Sequence, residues 1–112
     1  MEQKRYVVFE NEFESGGGKM LKFFKDKTKA LNYTDSLNRE KWRGNLAWSN
    51  INGLVDWDTV KAELEKHQIH LHPELPDEEL NHIFRKIEEL SRQDYYPFGL
   101  LLNYRLLEVT EQ

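Results

Sequence analysis

The sequence predicts an α+β fold in which a small antiparallel sheet, made of an N-terminal hairpin and a C-terminal strand, packs with about three helices. Two stretches of alternating apolar residues flank a run of glycines, three later segments repeat apolar residues at helical spacing, and a leucine-rich stretch lies near the end. The length of 112 residues fits one domain, so we expect residues 1–112 to form a single domain.

The first element is predicted to be a β-hairpin. Residues 6–13 alternate as a strand does, with Val7 and Phe9 on one side, and residues 20–24 form the returning strand. Residues 15–18, which include three glycines, supply the turn because glycine adopts positive φ angles without steric cost. We expect Val7 and Phe9 to face the core.

The first helix is predicted over residues 27–40. Asp26 is a candidate N-cap, and Tyr33 and Leu37 belong to an apolar stripe at helical spacing. Residues 42–57 contain all three tryptophans and follow no regular period. We expect them to form an ordered loop or a short second hairpin.

Two further helices and a strand complete the predicted fold. The helices cover residues 57–67 and 78–92, because two prolines interrupt the segment between them and Asp77 can cap the second helix. Residues 100–109 form the final strand, whose three consecutive leucines favour a central strand buried on both faces. The expected core consists of Val7, Phe9, Leu21, Phe23, Leu37, Leu64, Leu80, Phe84, Ile87, Leu102, Tyr104 and Leu106.

Composition restricts the classes of function. The chain has no cysteine, which excludes disulfides, thiolate metal sites and a cysteine nucleophile and fits a reducing compartment. The N-terminus lacks the apolar segment of a signal peptide, and no apolar run reaches the roughly 18–20 residues of a membrane span. We therefore expect a cytoplasmic protein that does not contact a membrane.

The formal net charge of −4 is unevenly distributed along the chain. Residues 1–45 hold ten Lys/Arg and seven Asp/Glu, whereas the remaining residues hold six and thirteen. Such a bipolar surface favours a protein partner or self-association over a nucleic-acid backbone.

No catalytic constellation is evident, so we expect a non-enzymatic protein without a cofactor. The glycines at 16–18 lack the Lys-Ser/Thr ending of a P-loop, and no serine lies in a Gly-x-Ser-x-Gly setting. His67, His70 and His72 could ligate a metal through neutral imidazole, with Glu74 as a carboxylate ligand. A solvent-exposed loop explains the same residues without a metal.

Aromatic and acidic residues are the candidates for partner binding. Tryptophan and tyrosine are enriched at interface hot spots, although a small domain also uses them to complete its core. The candidates in irregular segments are Trp42, Trp48, Trp57, Tyr95 and Tyr96, and those on the acidic helix are Glu78, Glu79, Glu88 and Glu89.

Two alternative functions remain open at this point. The basic residues of segment 22–43 could contact phosphates, which would make the protein a nucleic-acid-associated regulator. The histidines would instead make it a His-ligated metal-binding protein.

One pattern resembles a known group of proteins. The strand at 6–10, the glycines at 16–18, the segment 23–31 and the closing stretch 98–109 resemble small uncharacterised hairpin-helix-strand proteins of Gram-positive bacteria and their phages. The resemblance covers about half of the chain and leaves residues 42–92 as an insertion. It implies a small cytosolic protein of a phage or mobile element, many of which bind a host protein, and it assigns no functional residues.

The expected function is therefore that of a non-catalytic inhibitor or modulator that binds a host or phage protein. Phage anti-defence proteins and toxin-immunity proteins are the types that the resemblance implies. We expect segment 42–76 and the acidic helix to form the contact surface.

Overall fold

The computed structural model describes residues 3–12, 17–46, 57–72, 74–93 and 98–111. Its strands and helices confirm the predicted α+β class. No helix in the described ranges has both the length and the apolar composition needed to cross a membrane. In chain order the elements are β1 (Gln3–Glu12), β2 (Gly17–Phe24), α1 (Lys27–Leu46), α2 (Trp57–Lys66), α3 (Asp77–Gln93), a 3₁₀ turn (Phe98–Leu100) and β3 (Tyr104–Glu111).

The chain divides into two compact units. The first unit comprises residues 1–38 and 103–112, and the second comprises residues 39–102. The first unit therefore contains the hairpin, the first half of α1 and the closing strand. The expectation of a single domain stays a prediction.

The sheet of the first unit has the strand order β2-β1-β3, and both pairings are antiparallel. The β1–β2 ladder contains an irregularity between Val8 and Phe9, whereas the β1–β3 ladder runs without a register shift from Gln3 to Glu10. β3 is thus an edge strand, and the prediction of a central strand over residues 100–109 is wrong. The consecutive leucines precede β3, and Leu101 and Leu102 are buried in the second unit.

Helix α1 covers one face of the sheet. It begins after Asp26, whose Oδ1 accepts a hydrogen bond from the Lys29 backbone N–H at 3.2 Å, which confirms the predicted N-cap. The core of this unit comprises buried Tyr6, Val8 and Ala30, with Phe24, Tyr33, Leu37 and Leu106 packed against them.

The face that α1 covers is the one opposite to the predicted face. Successive side chains of a strand point to opposite sides, so Tyr6 and Val8 face the helix while Val7 and Phe9 point away from it. Phe23, expected in the core, is 60% exposed. Leu21 and Tyr104, also expected there, are half-buried.

One polar residue connects α1 to β3. The side-chain amide of Asn38 donates a hydrogen bond to the Tyr104 carbonyl at 3.0 Å, and the Tyr104 backbone N–H donates to Asn38 Oδ1 at 3.0 Å. Asn38 is almost completely buried. Its amide satisfies both backbone groups of a strand residue, as a neighbouring strand would.

The second unit has its own core around Trp42. The indole N–H of Trp42 donates to the Leu101 carbonyl at 2.9 Å, and its ring meets Phe84 edge-on with centroids 4.9 Å apart. The buried members of this core are Trp42, Val60, Leu64, Ile69, Leu80, Phe84, Ile87, Leu90, Phe98, Leu101 and Leu102.

The helix predictions agree with the structure at α2 and α3 and differ at α1. The second and third helices lie within one residue of the predicted bounds at each end. Helix α1 continues to Leu46 instead of ending at residue 40, so residues 42–46 are helical and not irregular. The remainder of the predicted loop, residues 47–56, lies outside the described residues, as do Phe13 and the first part of the glycine turn.

We expect Asn38→Ala to lower the free energy of unfolding by about 1–3 kcal/mol, because it leaves the Tyr104 N–H and carbonyl without their partner. Asn32→Ala makes the same change at an exposed position of the same helix. It should leave stability unchanged or raise it slightly, since alanine has the higher helix propensity. Denaturant titration of both variants measures the difference, and equal stabilities would show that the Asn38 amide contributes nothing.

Candidate protein-binding face

The sheet face that points away from α1 is apolar. It carries Val7, Phe9, Met20, Phe23, Leu107 and Val109, which together are called the apolar face below. Exposed fractions are 65% for Met20, 60% for Phe23, 53% for Leu107 and 37% for Val109. These are the exposed large hydrophobic side chains of the described residues, and all four belong to this one face. A contiguous exposed apolar patch is typical of an interaction site.

The apolar face is concave. A depression of about 410 Å³ lies over it, with buried Val7 among its lining residues. Gly18 contributes to this shape, because a Cβ atom at that position would lie 2.8 Å from Cδ2 of Phe9. The absence of a side chain at Gly18 therefore leaves room for the Phe9 ring.

The charged side chains that the structure describes on this face are positive. Arg5 also lines the depression, and β3 brings Arg105 directly opposite Phe9. Arg5 and Phe9 are four residues apart on β1, so the two arginines are separated by about 13 Å along the strand direction. Among the described side chains of this face there is no carboxylate.

None of the predicted aromatic candidates lies on a surface that the structure describes. Trp42 is fully buried, so its assignment to partner binding is wrong, because its indole completes the second core. Trp57 is the first residue of α2, and its side chain lies outside the described part. Trp48, Tyr95 and Tyr96 also lie outside the described residues.

The acidic candidates are all on α3. Glu78 and Glu79 are exposed in its first turn, where negative charge stabilises a helix N-terminus. Glu88 is half-buried, and its Oε1 accepts a hydrogen bond from Arg85 at 2.8 Å. Glu89 is exposed. Glu88 is thus engaged within the helix, whereas Glu78, Glu79 and Glu89 are exposed and stay candidates for partner binding.

The histidines are not brought together. The His67 ring meets Phe98 edge-on at 5.5 Å, and His72 Nδ1 accepts a hydrogen bond from the Glu74 backbone N–H at 3.1 Å. His70 lines a separate depression of about 290 Å³ in the second unit. Within the described ranges, no three histidine or carboxylate side chains are placed to hold a metal ion.

Several basic side chains of segment 22–43 contact other residues of the chain. Lys22 Nζ lies 5.2 Å from the Phe24 ring centroid and 5.3 Å from that of Tyr33, which are cation–π distances. In the second unit, Arg39 donates to Asn81 Oδ1 at 2.7 Å, and Arg43 donates to Asp77 Oδ1 at 2.7 Å. These contacts engage three cations of the predicted phosphate-binding set, and the nucleic-acid alternative stays a prediction.

The pKa of the Asp77 carboxyl is lowered. Its hydrogen bond from Arg43 holds the pKa of the carboxyl below its usual value, with a further contribution from the positive charge of Arg39 and opposition from partial desolvation. Asp77 is the first residue of α3, so it holds α1 and α3 together through Arg43 instead of acting as the predicted N-cap.

Sequence reasoning missed the apolar face as a site, although one signal for it was present. β1 is apolar on both sides, with Tyr6 and Val8 on one and Val7 and Phe9 on the other. A single helix with one apolar stripe covers one side of a sheet, which leaves the second side for something else. Comparison of the chain with protein-family models, curated proteins and solved structures finds no match.

We expect Arg43→Ala to raise the pKa of Asp77 toward its ordinary value of 3.8. The folded pKa is depressed, so the stabilisation from this carboxylate is present above the ordinary value and is lost as the pH falls through the folded value. NMR titration of the Asp77 carboxyl measures the shift. Arg85→Ala is the control, because Arg85 contacts Glu88 instead, and a shift of equal size in both variants would contradict the assignment.

Proposed function

We propose that this chain is a non-catalytic binding protein that occludes or modulates a protein partner, and that it binds this partner through the apolar face. The observation that carries the proposal is the concentration of exposed large hydrophobic side chains on one concave sheet face. Exposed apolar surface of this kind costs free energy in water unless a partner covers it, at about 25 cal/mol per Å².

The charges on the face indicate the chemistry of the partner. Arg105 is exposed and lies opposite Phe9 of the apolar face, and arginine binds carboxylates in a bidentate geometry. The complementary surface is apolar with a carboxylate at its margin, placed to meet Arg105. A duplex nucleic acid presents phosphates without such an apolar centre, so a protein is the better match.

The biological setting comes from the resemblance to small proteins of Gram-positive bacteria and their phages. Proteins of that setting often inhibit a host enzyme or neutralise a toxin, which requires binding and no chemistry. An anti-defence inhibitor or an immunity protein is therefore the specific role that we propose.

A capture experiment tests the proposal. The immobilised protein is exposed to a nuclease-treated lysate of a Gram-positive bacterium, in parallel with the Phe23→Ser/Leu107→Ser double variant and with a Glu78→Gln/Glu79→Gln/Glu89→Gln variant. Both Phe23 and Leu107 are more than half exposed, so serine at these positions should preserve the fold. Circular dichroism verifies this.

The expected result is one protein that the natural sequence and the acidic-helix variant retain and that the double variant loses. With that partner purified, Arg105→Glu should slow association, and the difference should shrink as salt rises. Retention of the same protein by the double variant would overturn the apolar face as the site. Loss by the glutamine variant alone would assign binding to α3.

A further inference from the structure

The outer edge of β3 carries backbone groups with no partner among the described residues. The backbone N–H of Asn11 donates to the Asn103 carbonyl at 2.8 Å, so residue 103 points its backbone groups toward β1. Backbone groups alternate in direction along an antiparallel strand. The backbone N–H and carbonyl of Tyr104 therefore point away from β1, and both are hydrogen-bonded to the side-chain amide of Asn38.

The same alternation defines the rest of the edge. The β1–β3 register has no shift, so Leu106, Glu108 and Thr110 also point their backbone groups away from β1. No described hydrogen bond reaches these outward groups. The three residues are called the β3 edge below.

The β3 edge differs from the outer edge of β2. β2 contains the irregularity opposite Val8 and Phe9 and carries exposed Lys19 and Lys22. A bulge and lysines are the usual devices that prevent strand addition. β3 has neither a bulge nor a proline, and its residues 107–110 are exposed.

We propose that the β3 edge pairs with the β3 edge of a second copy of this chain, which joins two three-stranded sheets into one six-stranded sheet. A two-fold axis makes the two strands antiparallel, and outward residues must pair with outward residues. One register pairs all three of them: Glu108 lies opposite Glu108 of the second copy, and Leu106 lies opposite Thr110. This proposal does not depend on the identity of any other partner.

The register that the backbone requires also suits the residues of the apolar face. It places Leu107 opposite Val109 of the second copy, so apolar residues meet on the same side of the new sheet. The two apolar faces then form one continuous surface.

The two-fold axis brings Glu108 of one copy next to Glu108 of the other, and each glutamate forms an ion pair with a lysine. Glu108 Oε1 lies 3.0 Å from Lys4 Nζ of the same copy. Like charges directly opposite each other destabilise a strand pair, and the two lysines offset that repulsion. Lys4 therefore has a role at the axis that an isolated exposed ion pair lacks.

Cysteine cross-linking tests the register. The natural chain has no cysteine, so a substitution introduces the only thiol. In Glu108→Cys the two Cα atoms at the axis would be about 5.5 Å apart, within disulfide range. In Thr110→Cys the equivalent residues would be four positions apart along the strand, about 13 Å, which is out of reach.

The expected result is rapid oxidation of the Glu108→Cys variant to a disulfide dimer while the Thr110→Cys variant stays monomeric. Equal cross-linking of the two variants, or none in either, would overturn the proposed register. Cross-linking of Thr110→Cys alone would do the same, because it would centre the pair on residue 110.

Sedimentation of the unmodified chain tests the dimer itself. We expect the weight-average mass to rise with concentration, and Glu108→Pro to raise the dimer dissociation constant about tenfold or more, because it removes an outward N–H. Glu108→Ala is the matched control that keeps this N–H. Lys4→Ala should weaken the dimer, and salt should reduce this effect. A natural chain that stays monomeric at every concentration would overturn the proposal.

Discussion

The side-chain amide of Asn38 gives the first unit its register. Hydrophobic contacts between α1 and the sheet, such as those with Tyr6, Val8 and Leu106, are not directional and do not by themselves select one position of the helix. A two-point hydrogen bond to the backbone of Tyr104 allows one position. A slip of β3 by one residue would leave a buried amide unsatisfied and would also exchange the faces of every side chain on that strand.

The same interaction decides where the sheet ends and where it stays open. Asn38 occupies the outward groups of Tyr104, so the open edge begins at Leu106. One helix and three strands leave two uncovered features in this unit, the apolar face and the polar backbone groups of the β3 edge. Leu107 and Val109 on β3 lie beside both. A strand added at the edge therefore enlarges the face. Self-association uses the backbone groups of the β3 edge, whereas partner binding uses the side chains of the apolar face, and Leu107 and Val109 connect the two surfaces.

Local signals in the sequence were sufficient for part of this architecture. Helices α2 and α3 could be predicted to within a residue because prolines, acidic first turns and apolar stripes act within a few residues of one another. The end of α1 could not, because Trp42 is held by Leu101, which is 59 residues away in the sequence. The leucines at 100–102 indicated the burial of Leu101 and Leu102, but burial alone does not distinguish a strand from the end of a 3₁₀ turn and the residues that follow it. The alternation in β1 identified two sides without indicating which one meets the helix.

An open edge with an apolar face beside it poses a risk of unlimited strand addition, and the charges of this unit argue for a closed dimer instead. Pairing through β3 leaves β2 at both ends of the six-stranded sheet, where the bulge and the lysines oppose further growth. An isologous contact about a two-fold axis also consumes both copies of the edge, so no unsatisfied edge remains to propagate. Glu108 makes the edge selective, because a foreign strand without a cation near this position would face a carboxylate that is compensated on one side alone. The β3–β3 pairing centred on Glu108 is thus permitted by the outward backbone groups and favoured by the ion pairs of Glu108 with Lys4.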